Sequence, residues 1–429
     1  MAIVRPFCAL RFTPKAGDIR ELACPPYDII SEEQRQAYLK RNPYNIIRLE
    51  LPRDGEDPYK AAGQILSAWL KEGILRQDER EAFYLYEIEF TVPGMEGPLS
   101  ISGLIAQVHL EEFSKGVVLP HEETLSKAKA DRFQLMQATG CNFSDIYSLY
   151  PENDPEGRIA DILAKAKAGE PLSKMTDEDG LTHRLWAVSD PGETALIQRR
   201  FADTKLYIAD GHHRYETALR YRDAMREQGV PEGSGADYVM MMLVPMSHPG
   251  LVVFPTHRMI RGVEGFSPSR LLHECEEYFE VREGIPLDEL QGALDKAYGQ
   301  GQKAFGFYAG GEKAALLTLK DVAVMDSLLP KLSPVSRQLD VNVLHTLVLE
   351  RLLGIDKEDM ANQKSLTYTR SRKEALGSVN SGAFQCSFLL NPTRVEEIRD
   401  VAAAGEKMPQ KSTYFYPKLL TGLTMNKLL

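Results

Sequence analysis

A short apolar run at 206–209 ends abruptly in Asp210-Gly211-His212-His213-Arg214, and a helical pattern follows. Leu206, Tyr207 and Ile208 suit a buried strand, and the apolar spacing over 215–227 predicts an amphipathic helix. Gly211 permits a tight turn or a close approach of backbone to a ligand. Such a strand-to-helix junction brings Asp210, His213 and Arg214 together with helix N–H groups, which is a ready anion site. Arg214 can fork onto phosphate oxygens, and His213 can donate to or neutralise developing charge. Asp210 can hold magnesium, a hard cation that prefers oxygen and bridges phosphates. The set fits phosphoryl transfer but holds no obvious base.

A second apolar run, Val117-Val118-Leu119-Pro120, also ends in ionisable groups, His121-Glu122-Glu123-Thr124. If the two junctions meet, Glu122 can take the proton of an attacking hydroxyl. Metal binding by His212 and His213 with His121, Glu122 and Glu123 is disfavoured, because adjacent histidines do not easily point at one ion and the i, i+4 spacing of a zinc protease is absent. Plainer roles stand beside the catalytic ones: Asp210 as a helix cap, His213 as a satisfied core histidine, Arg214 as the partner of Glu216 or Asp223. The sequence carries no Ser–His–acid motif, no Walker-type phosphate loop and no dinucleotide-binding glycine pattern.

The rest of the chain sets bounds on these readings. At 429 residues it exceeds one ordinary core, so two or three domains are expected. Hydrophobic residues make up 43% and charged residues 26%. With no run long enough to span a bilayer and no leader pattern at the start, a cytoplasmic protein without membrane association is expected. The five cysteines are scattered and form no CxxC pair, which argues for reduced, buried thiols. A net charge of −10 without a concentrated basic block argues against nucleic acid as a partner.

The elements needed to position the two junctions follow from patterning. A strand is expected over 3–12, and Cys24-Pro25-Pro26-Tyr27-Asp28 excludes helix. Ser31-Glu32-Glu33-Gln34 is a capping box that opens a helix to about 41. A strand follows at 46–51, then a helix from Pro58. Strands at 83–92 and 99–110 form a hairpin, and a helix over 126–138 follows the His121 cluster. A strand at 145–150, a helix at 155–167, a strand around Trp186 and a helix at 193–201 lead to the central turn. A second hairpin is expected from 238–244 and 251–254. A change of domain is expected near Phe266-Ser267-Pro268, with helices at 268–279 and 286–298, strands at 305–308 and 314–319, a helix at 341–353, a strand at 383–390 and a helix at 394–404. The order indicates an α+β fold, without steady βαβ alternation. The tail 408–418 has three aromatics in four residues and is expected to dock back on the body.

Pro120-His121-Glu122 together with Asp210-Gly211-His212-His213-Arg214 resembles the ParB/sulfiredoxin-like superfamily, in particular its free-serine kinase branch. Over nearly its full length the chain is also similar to the bacterial and archaeal family known as domain of unknown function 1015. The matching stretches there are 24–28, 42–52, His121–Thr124 with Lys129–Arg132, 209–219 and 408–418. The kinase resemblance implies a ParB/sulfiredoxin-like nucleotide-binding core with large insertions. That core would lie in an α+β domain at 1–265 with an insertion near 140–200, followed by a further α+β domain at 266–429. It implies ATP or ADP with Mg2+, and L-serine or a similar compound as phosphate acceptor. Glu122 would be the base, with Asp210 and His213 as further catalytic residues. His121, Lys129, Arg132, Gly211, His212, His213 and Arg214 would contact the nucleotide, and Asp210 the metal. A nucleotide hydrolase or phosphatase at the same site, or a nucleotide-gated regulatory module, stays open, as does a homodimer.

Overall fold

A computed structural model describes residues 2–124, 126–152, 154 and 156–429. The chain forms two compact units: Met1–Pro120, Thr124–Leu251 and Pro417–Leu429 make the first, and His121–Glu123 with Val252–Tyr416 the second. Both combine helices with largely antiparallel sheets, so the fold is α+β.

The first unit is built on a nine-stranded sheet. Its long hairpin, Phe83–Phe90 and Leu99–His109, is the expected one, in register from Tyr84 against Ile105 to Phe90 against Leu99. At the other side of the sheet, Leu206–Asp210 lies between Val118–Leu119, to which it is parallel, and Ile146–Tyr150, to which it is antiparallel. Helix His212–Glu227 buries Tyr215, Ala218, Leu219 and Met225, a stripe of i, i+3, i+4 spacing that faces the core. Pro58–Lys71 does the same with Ala62, Leu66 and Trp69 over a second cluster. The Ser31 capping box forms as expected: Gln34 N donates to Ser31 Oγ at 3.1 Å and Ser31 N to Gln34 Oε1 at 2.9 Å.

Several expectations are corrected. The opening strand is broken into Val4–Arg5 and Leu10–Phe12, which pair with different strands; Pro6 between them has no N–H for a ladder. The expected strand at 46–51 is a helical turn, Ile47–Glu50. Asn45 Oδ1 accepts from Ile47 N at 3.0 Å, and Ile46, Ile47 and Leu49 are all fully buried. A turn buried on every side has the continuous apolar pattern of a buried strand. The second hairpin does not form: Tyr238–Pro245 pairs with Leu99–His109 and Ile146–Tyr150, whereas Val252–Val253 pairs with Phe415–Tyr416. The predicted start of a helix at Pro155 lies outside the described residues, and the helix is Arg158–Lys167.

The second unit contains a six-stranded sheet with antiparallel pairing throughout its described strands. The helix expected over 268–279 stops at Cys275, and Phe279–Pro286 is a strand along Lys313–Leu319. Its charged Glu280, Arg282 and Glu283 hide the strand from a hydrophobic pattern, since they lie on a sheet edge facing solvent. The helix expected over 341–353 is a turn, Asp340–Val343, that widens into a π-helical stretch, Leu344–Glu350.

Candidate functional site

The strand ending at Asp210 is buried through Leu206, Tyr207, Ile208 and Ala209, and its pairing shifts register between Ile208 and Asp210. Gly211 then takes φ of 97°, a left-handed conformation that favours glycine. A Cβ there would fall 2.9 Å from Arg214 Nε, so the turn is closed against the guanidinium. The helix begins at His212, three residues earlier than its apolar pattern suggested, and its start has no side-chain cap. His212, His213 and Arg214 therefore form its first turn, where backbone N–H groups have no intrahelical acceptor.

Asp210 sits between two cations. Its Oδ2 accepts from Arg214 Nη2 at 2.8 Å and its Oδ1 from Lys418 Nζ at 2.6 Å. Burial alone would raise the Asp210 carboxyl; the Lys418 ammonium and Arg214 guanidinium outweigh it and hold the group below the usual carboxylate range. Arg214 also donates through Nη1 to the Asp145 carbonyl. The Asp145 side chain is buried, its Oδ1 has no hydrogen-bond partner among the described residues, and burial pushes its pKa up to about 7 against the pull of Arg214.

Arg132 is buried and tied to the amino-terminal segments. Its Nη1 donates to the Glu50 carbonyl at 2.7 Å, and its guanidinium lies 4.1 Å from the centre of the Tyr27 ring. The Glu50 carboxyl accepts from Ser144 Oγ at 3.0 Å and is raised by burial, with Arg132 and Arg214 opposing. Glu50, Arg132, Ser144, Arg214 and Thr217 border a cavity of about 40 Å³. That volume suits roughly one water molecule. Lys129 pairs with Glu216 at 2.6 Å, and Glu216 also accepts from Thr124 Oγ1 at 2.8 Å.

The structure thus joins Asp210, Gly211 and Arg214 in one turn, and holds Lys129 and Arg132 on the adjoining helix Ser126–Thr139, which packs on the helix of His212 and His213. His212 is buried and His213 half-buried. Asp210 is not the helix cap, since Gly211 occupies that position. The partner of Arg214 is Asp210; Asp223 is taken by Arg222 and Glu216 by Lys129.

His121 and Glu122 group with the second unit. His121 is fully buried; its Nε2 lies 3.0 Å from Thr413 Oγ1 and its carbonyl accepts from Met408 N at 2.7 Å. Glu122 bridges in parallel to Met408. Burial raises the Tyr368 hydroxyl; Arg258 opposes that rise and the Glu122 carboxylate adds to it. Arg258 is itself buried, donating to the carbonyls of Thr256 and Lys411.

Among the described residues, no group of three or more His, Cys, Asp and Glu side chains could hold a metal ion. Asp210 does not fit a directly bound magnesium ion either, because both of its oxygens already face cations. No described helix is long and apolar enough to cross a membrane.

The tail expected to dock back supplies Lys418 to this turn, and pattern reading did not single out Glu50 or Asp145. Lys418 was signalled only by its place in the aromatic tail, and Glu50 by its place in the 42–52 stretch.

Solved structures similar to the chain at low identity include the following. A free serine kinase variant in complex with AMP is 13% identical, with a TM-score of 0.37, covering 78% of this chain and 95% of that one. A conserved hypothetical protein from Pyrococcus furiosus is 14% identical, with a TM-score of 0.33, covering 73% and 94%. SbnI from Staphylococcus aureus, truncated at its C-terminus, is 11% identical, with a TM-score of 0.34, covering 75% and 87%. No curated protein matches the sequence. A sequence profile described as "Protein of unknown function (DUF1015)" matches residues 4–342, most of the chain, and the protein belongs to that family.

Proposed function

We propose that the protein is a nucleotide-dependent kinase that transfers a phosphoryl group to the hydroxyl of L-serine or a similar small compound, on a ParB/sulfiredoxin-like core. The observation that carries this reading is the pairing of two cations, Arg214 and Lys418, on one carboxylate at an uncapped helix start. Asp210 keeps both cations in place and charged, so that phosphate oxygens arriving at the turn meet preorganised donors and need little rearrangement. Gly211 lets the backbone approach the phosphates, and His213 in the first turn donates to them. The parallel pairing of Val118–Leu119 with Leu206–Asp210, with Leu119 against Tyr207, gives both motifs the same strand direction.

In this reading Glu122 takes the hydroxyl proton as the acceptor oxygen bonds to phosphorus and the bond to the leaving nucleotide breaks. Incubation with ATP or ADP, Mg2+ and L-serine should give O-phosphoserine, detected by phosphorus NMR. Glu122→Gln should lower the rate roughly 100-fold or more while nucleotide binding persists. Absence of any phosphorylated product, or an undiminished rate in Glu122→Gln, would refute the assignment.

A further inference from the structure

Well apart from the Asp210 turn along the strands, the first unit encloses a cavity of about 340 Å³. Strand Ile146–Tyr150 starts beside Asp210, which pairs with Tyr147, and ends at Tyr150 in the cavity wall. Three residues of strand separate those points, about 10 Å. The parallel strand Tyr238–Pro245 reaches the same wall with Leu243 and Pro245, so the cavity lies at the carboxyl ends of two neighbouring parallel strands, a common place for ligands in sheets. Its volume falls in the range of small-molecule sites.

The lining divides by chemistry. Leu104, Ile159, Leu163, Phe201 and Leu243 supply an apolar wall. The polar side is built on Ser102 and His248. Gly250 N donates to His248 Nδ1 at 3.0 Å. Ser102 N donates to His248 Nε2 at 3.2 Å, and Ser102 Oγ lies 3.2 Å from the same nitrogen; burial, reinforced by Lys167, lowers the pKa of the ring. Ser102 Oγ accepts from Lys167 Nζ at 3.3 Å. Lys167, which pairs with Glu87, and Arg200, which pairs with Asp154 and Glu156, add cationic groups to the lining, and Glu152 and Asp154 add carboxylates. Asp154 is occupied by the N–H groups of Arg158, Ile159 and Ala160, which leaves Glu152, bonded by Ser247, as the anionic end.

We propose that this cavity binds a free α-amino acid with an apolar side chain. Lys167 holds the carboxylate, Glu152 holds the ammonium, and the side chain lies against Leu163 and Phe201. The site is independent of the phosphotransfer reading, and serine, which lacks an apolar side chain, is a poor occupant.

Titration calorimetry on the full chain tests it, with L-leucine and L-phenylalanine set against 4-methylpentanoate and isoamylamine, which lack the ammonium and the carboxylate respectively. An amino acid should bind at least about tenfold more tightly than either analogue. Lys167→Met should weaken it by a similar factor. Ala160→Trp, at an exposed position of the wall, should abolish binding without touching the core. Lys418→Met should leave it unchanged. No binding of any apolar amino acid up to about 10 mM would overturn the proposal. Equal affinity for the analogues, or full binding by folded Ala160→Trp, would do the same.

Discussion

Asp145→Asn isolates a single buried charge beside the Arg214 guanidinium. In the fold the Asp145 carboxyl is carried from its ordinary value of 3.8 to about 7, because burial penalises the carboxylate more than Arg214 rewards it. Ionising it there costs about 4 kcal/mol. Between these two values the folded protein keeps a proton that the unfolded chain has released, so stability falls as pH rises through that window. Asparagine has nearly the same shape and does not titrate. From pH 5 to pH 8 the natural protein should therefore lose about 2.5 kcal/mol more stability than Asp145→Asn. The assay is denaturant unfolding followed by tryptophan fluorescence. The two tryptophans, Trp69 and Trp186, are both buried in the first unit with Asp145, so the signal reports the relevant fold. Parallel stability curves for the two proteins would refute the buried, protonated carboxyl. A larger loss in Asp145→Asn would show instead that Asp145 works as an ionised partner of Arg214.

Two further substitutions test the turn. Lys418→Met removes the 2.6 Å contact to Asp210 and one cation, and nucleotide affinity by calorimetry should fall about tenfold or more; unchanged affinity would detach Lys418 from the site. Gly211→Ala forces a side chain into φ of 97° and 2.9 Å from Arg214 Nε, so it should destabilise the first unit by roughly 1–3 kcal/mol and weaken nucleotide binding, read by the same two assays.

The features legible in the sequence were the local ones. The Ser31 box joins residues three apart, so spacing alone reports it, and the strand-to-helix turn brought Asp210 and Arg214 to notice together, although their ion pair replaces the expected Glu216 or Asp223 partner. Leu206–Asp210 was visible because its residues are buried on both faces. Three other groups depend on distant chain. Lys418 meets Asp210 across 208 positions, Glu50 meets Ser144 across 94, and Arg214 reaches the Asp145 carbonyl across 69. No periodicity encodes such pairs. The strand Phe279–Pro286 escaped notice for another reason: its exposed face carries charge where a half-buried strand would alternate cleanly. Ile47–Glu50 was misread because complete burial erases the difference between periods of 2 and 3.6.

The wide separation of Lys418 from Asp210 has a temporal consequence. A ribosome adding roughly 5–20 residues per second makes Lys418 about 10–40 s after Asp210. Throughout that interval Asp210 and Arg214 can pair with each other, but the second cation does not yet exist. A nascent chain can therefore shape the turn long before its carboxylate meets the second cation, and completion of the doubly paired Asp210 becomes a late event in the birth of the molecule.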